Sequence, residues 1–217
     1  MAGVGVRFPV GPLSKLSFIY AVYFFLPRVI LEPPTIIMRE IEMKAKIKNG
    51  TEMIKKLEDL GCVFNNPILQ NDTVFSNPSI SFVEFLPDGQ NLLRIREQND
   101  EIIFTLKRPQ ANELDAIERE VRVDKRKELE DIIKFMGYEK AIVVRKTRRT
   151  ARFRDYEICV DEVEELGSFI ELERISDENA EKVQSEMIEF LHSLGIAKDD
   201  LVFRGYDTLL YIKKHQL

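Results

Sequence analysis

Histidine is nearly absent from this chain: His192 and His215 are the only two in 217 residues. That excludes a histidine triad and a histidine zinc centre as the source of any chemistry. Cysteine is equally scarce. Cys62 and Cys159 lie far apart without metal-ligand spacing, and they read as reduced thiols of a cytoplasmic protein. Positive charge is not in surplus either. Against 37 acidic residues stand 32 basic ones, a net −5, which argues against a general nucleic-acid binder. No glycine-rich phosphate cradle or P-loop appears. Long apolar runs are missing too. The stretch Leu16–Leu26 is interrupted by Pro27 and Arg28. It falls short of the roughly 20 residues a bilayer crossing needs, so no stable membrane insertion is expected.

The first 37 residues differ from the rest, with three basic residues and one acidic one. Three readings stand for this extension. It is a misassigned upstream start with Met38 as the initiator, a membrane-surface tether, or a signal peptide, although no small-residue cleavage site follows its apolar stretch. Residues 38–217 then form one domain, with 29 basic and 36 acidic residues.

What is abundant is charge, at 32% of residues. Either the surface is highly charged, as in heat-adapted proteins, or some charges are internal. Hydrophobic periodicity predicts eight strands and three main helices. The strands are Glu40–Ile47, one near Gln70–Phe75, the two arms of a hairpin meeting at Asn99–Asp100, and Ala116–Val123. Ala141–Arg149, Arg152–Asp161 and Ser168–Arg174 complete them. Asn49–Thr51 opens the first helix and Gly61 closes it. Asp124 caps a second that ends at Gly137, and Ser176 or Asp177 caps a third running to Leu194. The terminal Gly205–Lys214 reads as a short helix. Eight largely adjacent antiparallel strands predict a mainly β (α+β) fold, a closed eight-stranded antiparallel barrel with helices packed outside.

Sorting the strands by parity sharpens this. Glu40, Glu42 and Lys44 share a face against Ile41, Met43 and Ala45. Arg94 and Arg96 share one, as do Lys107 and Thr105, Glu118 and Glu120, Lys146 and Arg148, and Glu171 and Glu173; Asp161 ends the seventh strand. For any single strand, a solvated face is the simpler account. Taken jointly, the apolar faces suit the amphipathic helices, which leaves the charged faces to line the interior. Same-sign pairs two residues apart repel at roughly 7 Å, and they make sense when something binds between them. Carboxylate pairs suit a hard divalent cation, Mg²⁺ or Mn²⁺. Basic pairs suit phosphate oxygens. Together they describe a site for a metal and a polyphosphate.

With these residues in place, the sequence resembles the CYTH, or triphosphate tunnel metalloenzyme, superfamily, and within it most closely the class IV adenylyl cyclases. The ExExK signature is Glu40-Ile-Glu42-Met-Lys44. "LRIRE", "FTLKRP", "EREV", "VVRKTR", "VDEVEELGSFIELE" and "GYDTLL" follow in order, the last with Gly205 where the family has Ser. The resemblance implies metal ligands at Glu40, Glu42, Asp161, Glu171 and Glu173, with Glu118 and Glu120 supporting. It implies triphosphate contacts at Lys44, Arg94, Arg96, Lys107, Lys146 and Arg148, and a catalytic part for Glu42 and Lys44. Asp72 stands near a family acidic position or is a strand-entry turn residue. Arg145 and Arg149 have the opposite parity and are left out.

The implied reaction is conversion of ATP to cyclic AMP and pyrophosphate. The alternatives are hydrolysis of thiamine triphosphate, inorganic tripolyphosphate or nucleoside triphosphates, or binding of polyphosphate without catalysis. The partner is therefore a triphosphate small molecule, not nucleic acid, and a homodimer stays open.

Overall fold

In the computed structural model of this protein, residues 37–85 and 90–217 are described. The readings of the N-terminal extension fall on residues outside this range. The strands are β1 (Arg39–Lys46), β2 (Ile68–Ser76), β3 (Leu92–Gln98), β4 (Glu101–Pro109), β5 (Asp115–Arg122), β6 (Glu139–Phe153), β7 (Tyr156–Val163), β8 (Gly167–Ser176) and a two-residue β9 (Leu201–Val202). The helices are α1 (Gly50–Glu58), α2 (Arg126–Phe135), α3 (Ala180–Ser193) and α4 (Tyr206–His215). Every pairing is antiparallel, in the order β5-β4-β3-β2-β6-β7-β8-β1, and β1 meets β5 again. The first eight strands thus close into a barrel, as the alternation predicts.

Closure is brief. β1 and β5 share only the pairs Glu40–Ala116 and Ile41–Asp115, and β9 takes over the same edge at Lys44 and Ala45. An ion pair from Arg39 to the fully buried Asp115, 2.8 Å long, pins this seam.

Apolar parity decides what lies outside. Ile41, Met43 and Ala45 of β1, with Ile158, Ile170 and Leu172, pack under Leu57 of α1 and Val183, Met187 and Leu191 of α3. Leu93 and Ile95 of β3, with Phe75, bury Ile133 of α2. Each such side chain removed from water contributes about 1.5–3 kcal/mol. A third cluster sits at one end of the barrel. There the inward residues Val74, Val144, Val163 and Phe169 meet Tyr206 and Leu210 of α4. The barrel is therefore filled with apolar side chains at that end, and charged side chains line much of the rest.

Three local expectations are corrected. The sixth strand runs to Phe153, so Arg152 belongs to it, and the turn falls at Arg154–Asp155, where Arg154 adopts φ +58°. α2 begins after Lys125 without a side-chain cap, so Asp124 does not cap it. α3 is capped by Asn179, whose side chain accepts from Lys182 N at 3.0 Å, rather than by Ser176 or Asp177. The hairpin turn is where the sequence puts it, with positive φ at Asn99 and Asp100. Among the described residues, no helix is long and apolar enough to cross a membrane.

Candidate active site

Alternation on β1 turns Glu40, Glu42 and Lys44 into a barrel whose interior encloses a cavity of about 600 Å³. That volume suits a small organic ligand. Glu42, Lys44, Lys146, Arg148, Asp161 and Glu171 are all buried, so these charges sit in low dielectric and must be compensated by one another or by a guest.

One group is centred on Arg148. Its guanidinium forks onto both Asp161 oxygens at 2.8 and 2.7 Å and reaches Glu171 at 2.7 Å and Glu173 at 2.8 Å. Lys146 approaches Asp161 at 3.4 Å. Burial would raise the Asp161 carboxyl, but Arg148 and Lys146 override it and hold it below the usual carboxylate range. Glu171 is likewise held down, against its burial, by Lys44 and Arg148.

A second group straddles the seam. Glu40, Glu42 and Glu118 each place a carboxylate oxygen within 4.8 Å of the others. Lys107 donates to Glu42 at 2.6 Å and stands 3.0 Å from Glu118. Lys44 bridges Glu42 at 2.9 Å and Glu171 at 3.0 Å. Glu118 is held down at about 2, where Lys107 and Arg94 outweigh its burial. Glu40 behaves in the opposite way. Burial, then Glu173, Glu118 and Glu42, push its carboxyl well above the ordinary value. Burial also lowers the Lys44 ammonium, but Glu171 and Glu42 more than reverse this and leave it above the usual lysine range. Lys146 moves the other way, lowered by burial and by Arg148.

The arginines of β3 occupy the wall beside this corner. Arg94 reaches Glu120 at 3.1 Å and Glu118 at 3.4 Å; Glu120 is largely exposed and marks the rim. Arg96 forks onto Asp72 at 2.8 and 2.7 Å.

All the expected side chains therefore face the barrel interior or its rim, but their grouping differs from the one read off the sequence. Asp161, Glu171 and Glu173 lie against Arg148, while Glu118 joins Glu40 and Glu42. Parity along a strand cannot reveal this, because it depends on the stagger between strands. Asp72, left open by the sequence, is buried and paired. Three further interior residues escape the sequence reading as site residues. Gln70 shares parity with Asp72 and Thr105 with Lys107, so both carry a signal. Tyr206 enters from α4, so strand parity gives it no signal; its only mark in the sequence is its place in the terminal "GYDTLL" segment. Phe169 is buried against Tyr206, with ring centroids 5.1 Å apart.

Comparison with known proteins agrees with this architecture. The CYTH domain matches residues 38–206. A Methanocaldococcus jannaschii protein named "putative adenylate cyclase" is 33% identical over 173 residues, covering 78% of this chain and 97% of that one. A solved structure from Pyrococcus horikoshii OT3 superimposes with a TM-score of 0.67 at 25% identity, covering 80% and 99%. A Hippeastrum protein described as a "putative adenylyl cyclase" with a dominant triphosphatase activity shares the fold with a TM-score of 0.55 at 17% identity, covering 83% and 97%. A barrel closed around alternating carboxylates and cations, with ExExK at its first strand, thus has its counterpart in a known family: the chain belongs to the CYTH domain family.

Proposed function

We propose that this protein is a divalent-metal-dependent enzyme that binds a triphosphate inside the barrel and, in the manner of a class IV adenylyl cyclase, converts ATP to cyclic AMP and pyrophosphate. The reading rests on one observation. Three carboxylates, Glu40, Glu42 and Glu118, crowd one corner, and burial and the neighbouring carboxylates push Glu40 toward its neutral form. An all-oxygen donor set under mutual repulsion fits Mg²⁺ or Mn²⁺. The relative named "putative adenylate cyclase" is the reason to prefer cyclisation.

Glu40, Glu42 and Glu118 would hold the ion. Glu173 and Glu171, which pair in register with Glu42 and Lys44, complete the acidic side, with Asp161 beyond them. When bound, the metal neutralises charge developing on the phosphate oxygens. Arg148, Lys146, Arg94, Arg96 and Lys107 supply cations along the wall, and phosphate oxygens would replace carboxylates as their partners. Lys44, held charged by two glutamates, is a phosphate contact rather than a proton acceptor. In cyclisation the 3′-oxygen gives up its proton to solvent water and bonds to the α-phosphorus, and the bond from that phosphorus to the bridging oxygen breaks, releasing pyrophosphate. In hydrolysis water attacks the terminal phosphorus, the bond from that phosphorus to the bridging oxygen breaks with the diphosphate end as leaving group, and orthophosphate forms. Both use the same charged wall, and the fold shared with the Hippeastrum protein keeps hydrolysis as the second reading. Both cysteines are free thiols, which accords with a cytoplasmic place of action.

The test is to incubate the full chain with Mg²⁺ or Mn²⁺ and ATP, thiamine triphosphate or tripolyphosphate in parallel. Cyclic AMP with pyrophosphate is the expected result from ATP. Orthophosphate from tripolyphosphate would favour hydrolysis. Tight metal-dependent binding without turnover would leave a binding module and sink both enzyme readings.

A further inference from the structure

Among the described residues, Tyr206 is the one tyrosine that lines the cavity, and it enters from α4 rather than from a barrel strand. It is buried. Its ring lies 4.8 Å from the Lys44 ammonium and 5.0 Å from that of Lys146. Both distances are within the range of cation–π attraction. Phe169 packs edge-on against the same ring, Leu210 of the same helix is buried behind it, and Gly205 N donates to Glu113 at 3.1 Å, so the position of the tyrosine is fixed. The hydroxyl is fully enclosed, yet makes no hydrogen bond among the described residues. Asp161 is the nearest acceptor and, after burial, raises the phenol's pKa, but the hydroxyl and that carboxylate do not meet in hydrogen-bond geometry, and Asp161 is already held by the Arg148 fork. A buried donor without an acceptor destabilises the empty protein. Such a group is retained where an acceptor arrives from outside.

Resting on the triphosphate reading above, we propose that Tyr206 is a substrate contact and a positioning residue. Its hydroxyl donates to a phosphate oxygen of the bound chain, and its ring holds the Lys44 and Lys146 ammonium groups against that same chain. Burial, with Asp161 and Glu171, keeps the phenol protonated and therefore a donor. The terminal helix is thus part of the site and more than a plug for one end of the barrel.

Substitution should act with two signs. Tyr206→Phe keeps the ring and removes the unpaired hydroxyl. It should raise the melting temperature of the ligand-free protein by about 2–4 °C. It should also weaken tripolyphosphate binding in the presence of Mg²⁺ by about tenfold, read as Kd or, where tripolyphosphate is turned over, as KM. Tyr206→Leu removes the ring as well and should weaken binding further than the phenylalanine variant does. A purely structural tyrosine would lose melting temperature on substitution by Phe and bind tripolyphosphate as the wild type does, and that result would overturn the proposal. Wild-type protein that fails to bind tripolyphosphate at all would overturn the triphosphate reading and this proposal with it.

Discussion

The two acidic groups inside the barrel have similar composition and opposite electrostatics. Around Arg148, three carboxylates share a guanidinium at 2.7–2.8 Å, and two of them, Asp161 and Glu171, are held in their ionised form. At the seam, Lys107 serves Glu42 and Glu118, while Glu40 is repelled by both and by Glu173. The first group is complete as it stands. The second, on the function proposed above, is completed by a divalent cation. In the empty protein a charged interior can therefore be compensated in one place and uncompensated a few residues away, and register decides which.

The largest effect should come from breaking the complete group. Arg148→Met leaves Asp161, Glu171 and Glu173 without their shared partner. Removing one member of a buried ion group costs roughly 3–5 kcal/mol. For a domain of this size that is a fall in melting temperature on the order of 10 °C. Urea denaturation measures it directly. A loss under about 1 kcal/mol would mean that these carboxylates are not ionised together in the native state.

Next is the incomplete group, where substitution should stabilise the metal-free protein. Glu40 titrates at a raised pH in the folded state, so between its unfolded pKa and that raised value the native protein binds the extra proton. Its contribution is present below the ordinary carboxyl pKa and fades as pH rises through the raised one. Wild-type protein in EDTA should therefore lose stability across that window. Glu40→Gln should flatten this dependence while abolishing the gain in melting temperature that Mg²⁺ gives the wild type. The Arg148 group has the reverse sign. The depressed pKa values of Asp161 and Glu171 give stability present above the unfolded values and lost as pH falls through the folded ones. An Mg²⁺ effect that survives intact in Glu40→Gln would move the metal away from the seam.

The barrel and its charged lining are legible in the amino-acid sequence; the contrast between the two groups is not. Parity places Glu40, Glu42 and Lys44 on one face because a strand has a period of two and the intervening Ile41, Met43 and Ala45 need a helix to cover them. Asn99–Asp100 marks its turn because two successive positive φ angles favour those residue types. The turn after β6 is not legible. Alternation continues through Arg152, and the left-handed residue is Arg154, a side chain that carries no turn signal. Cap positions slip because several polar residues precede each helix and only backbone geometry selects among them. The division of carboxylates between Arg148 and the seam depends on barrel stagger, which no single strand encodes.

The smallest effect sharpens the boundary between the two groups at Glu173. This residue is held by Arg148 at 2.8 Å, yet it repels Glu40 and has its own carboxyl raised, first by burial and then, against the pull of Arg148, by Glu171 and Glu42. It belongs to both groups. Glu173→Gln keeps an acceptor for Arg148, so stability should change by less than about 1 kcal/mol. The loss of one negative charge beside Glu40 should weaken Mg²⁺-dependent turnover by a smaller factor than Glu40→Gln does. It should also lower the pH at which Glu40 titrates, narrowing the window of stability loss in EDTA. Stability measured against pH for the two variants side by side tests this. If Glu173→Gln abolished the Mg²⁺ effect as fully as Glu40→Gln, Glu173 would be a full ligand, and Arg148 would have to release it whenever the metal binds.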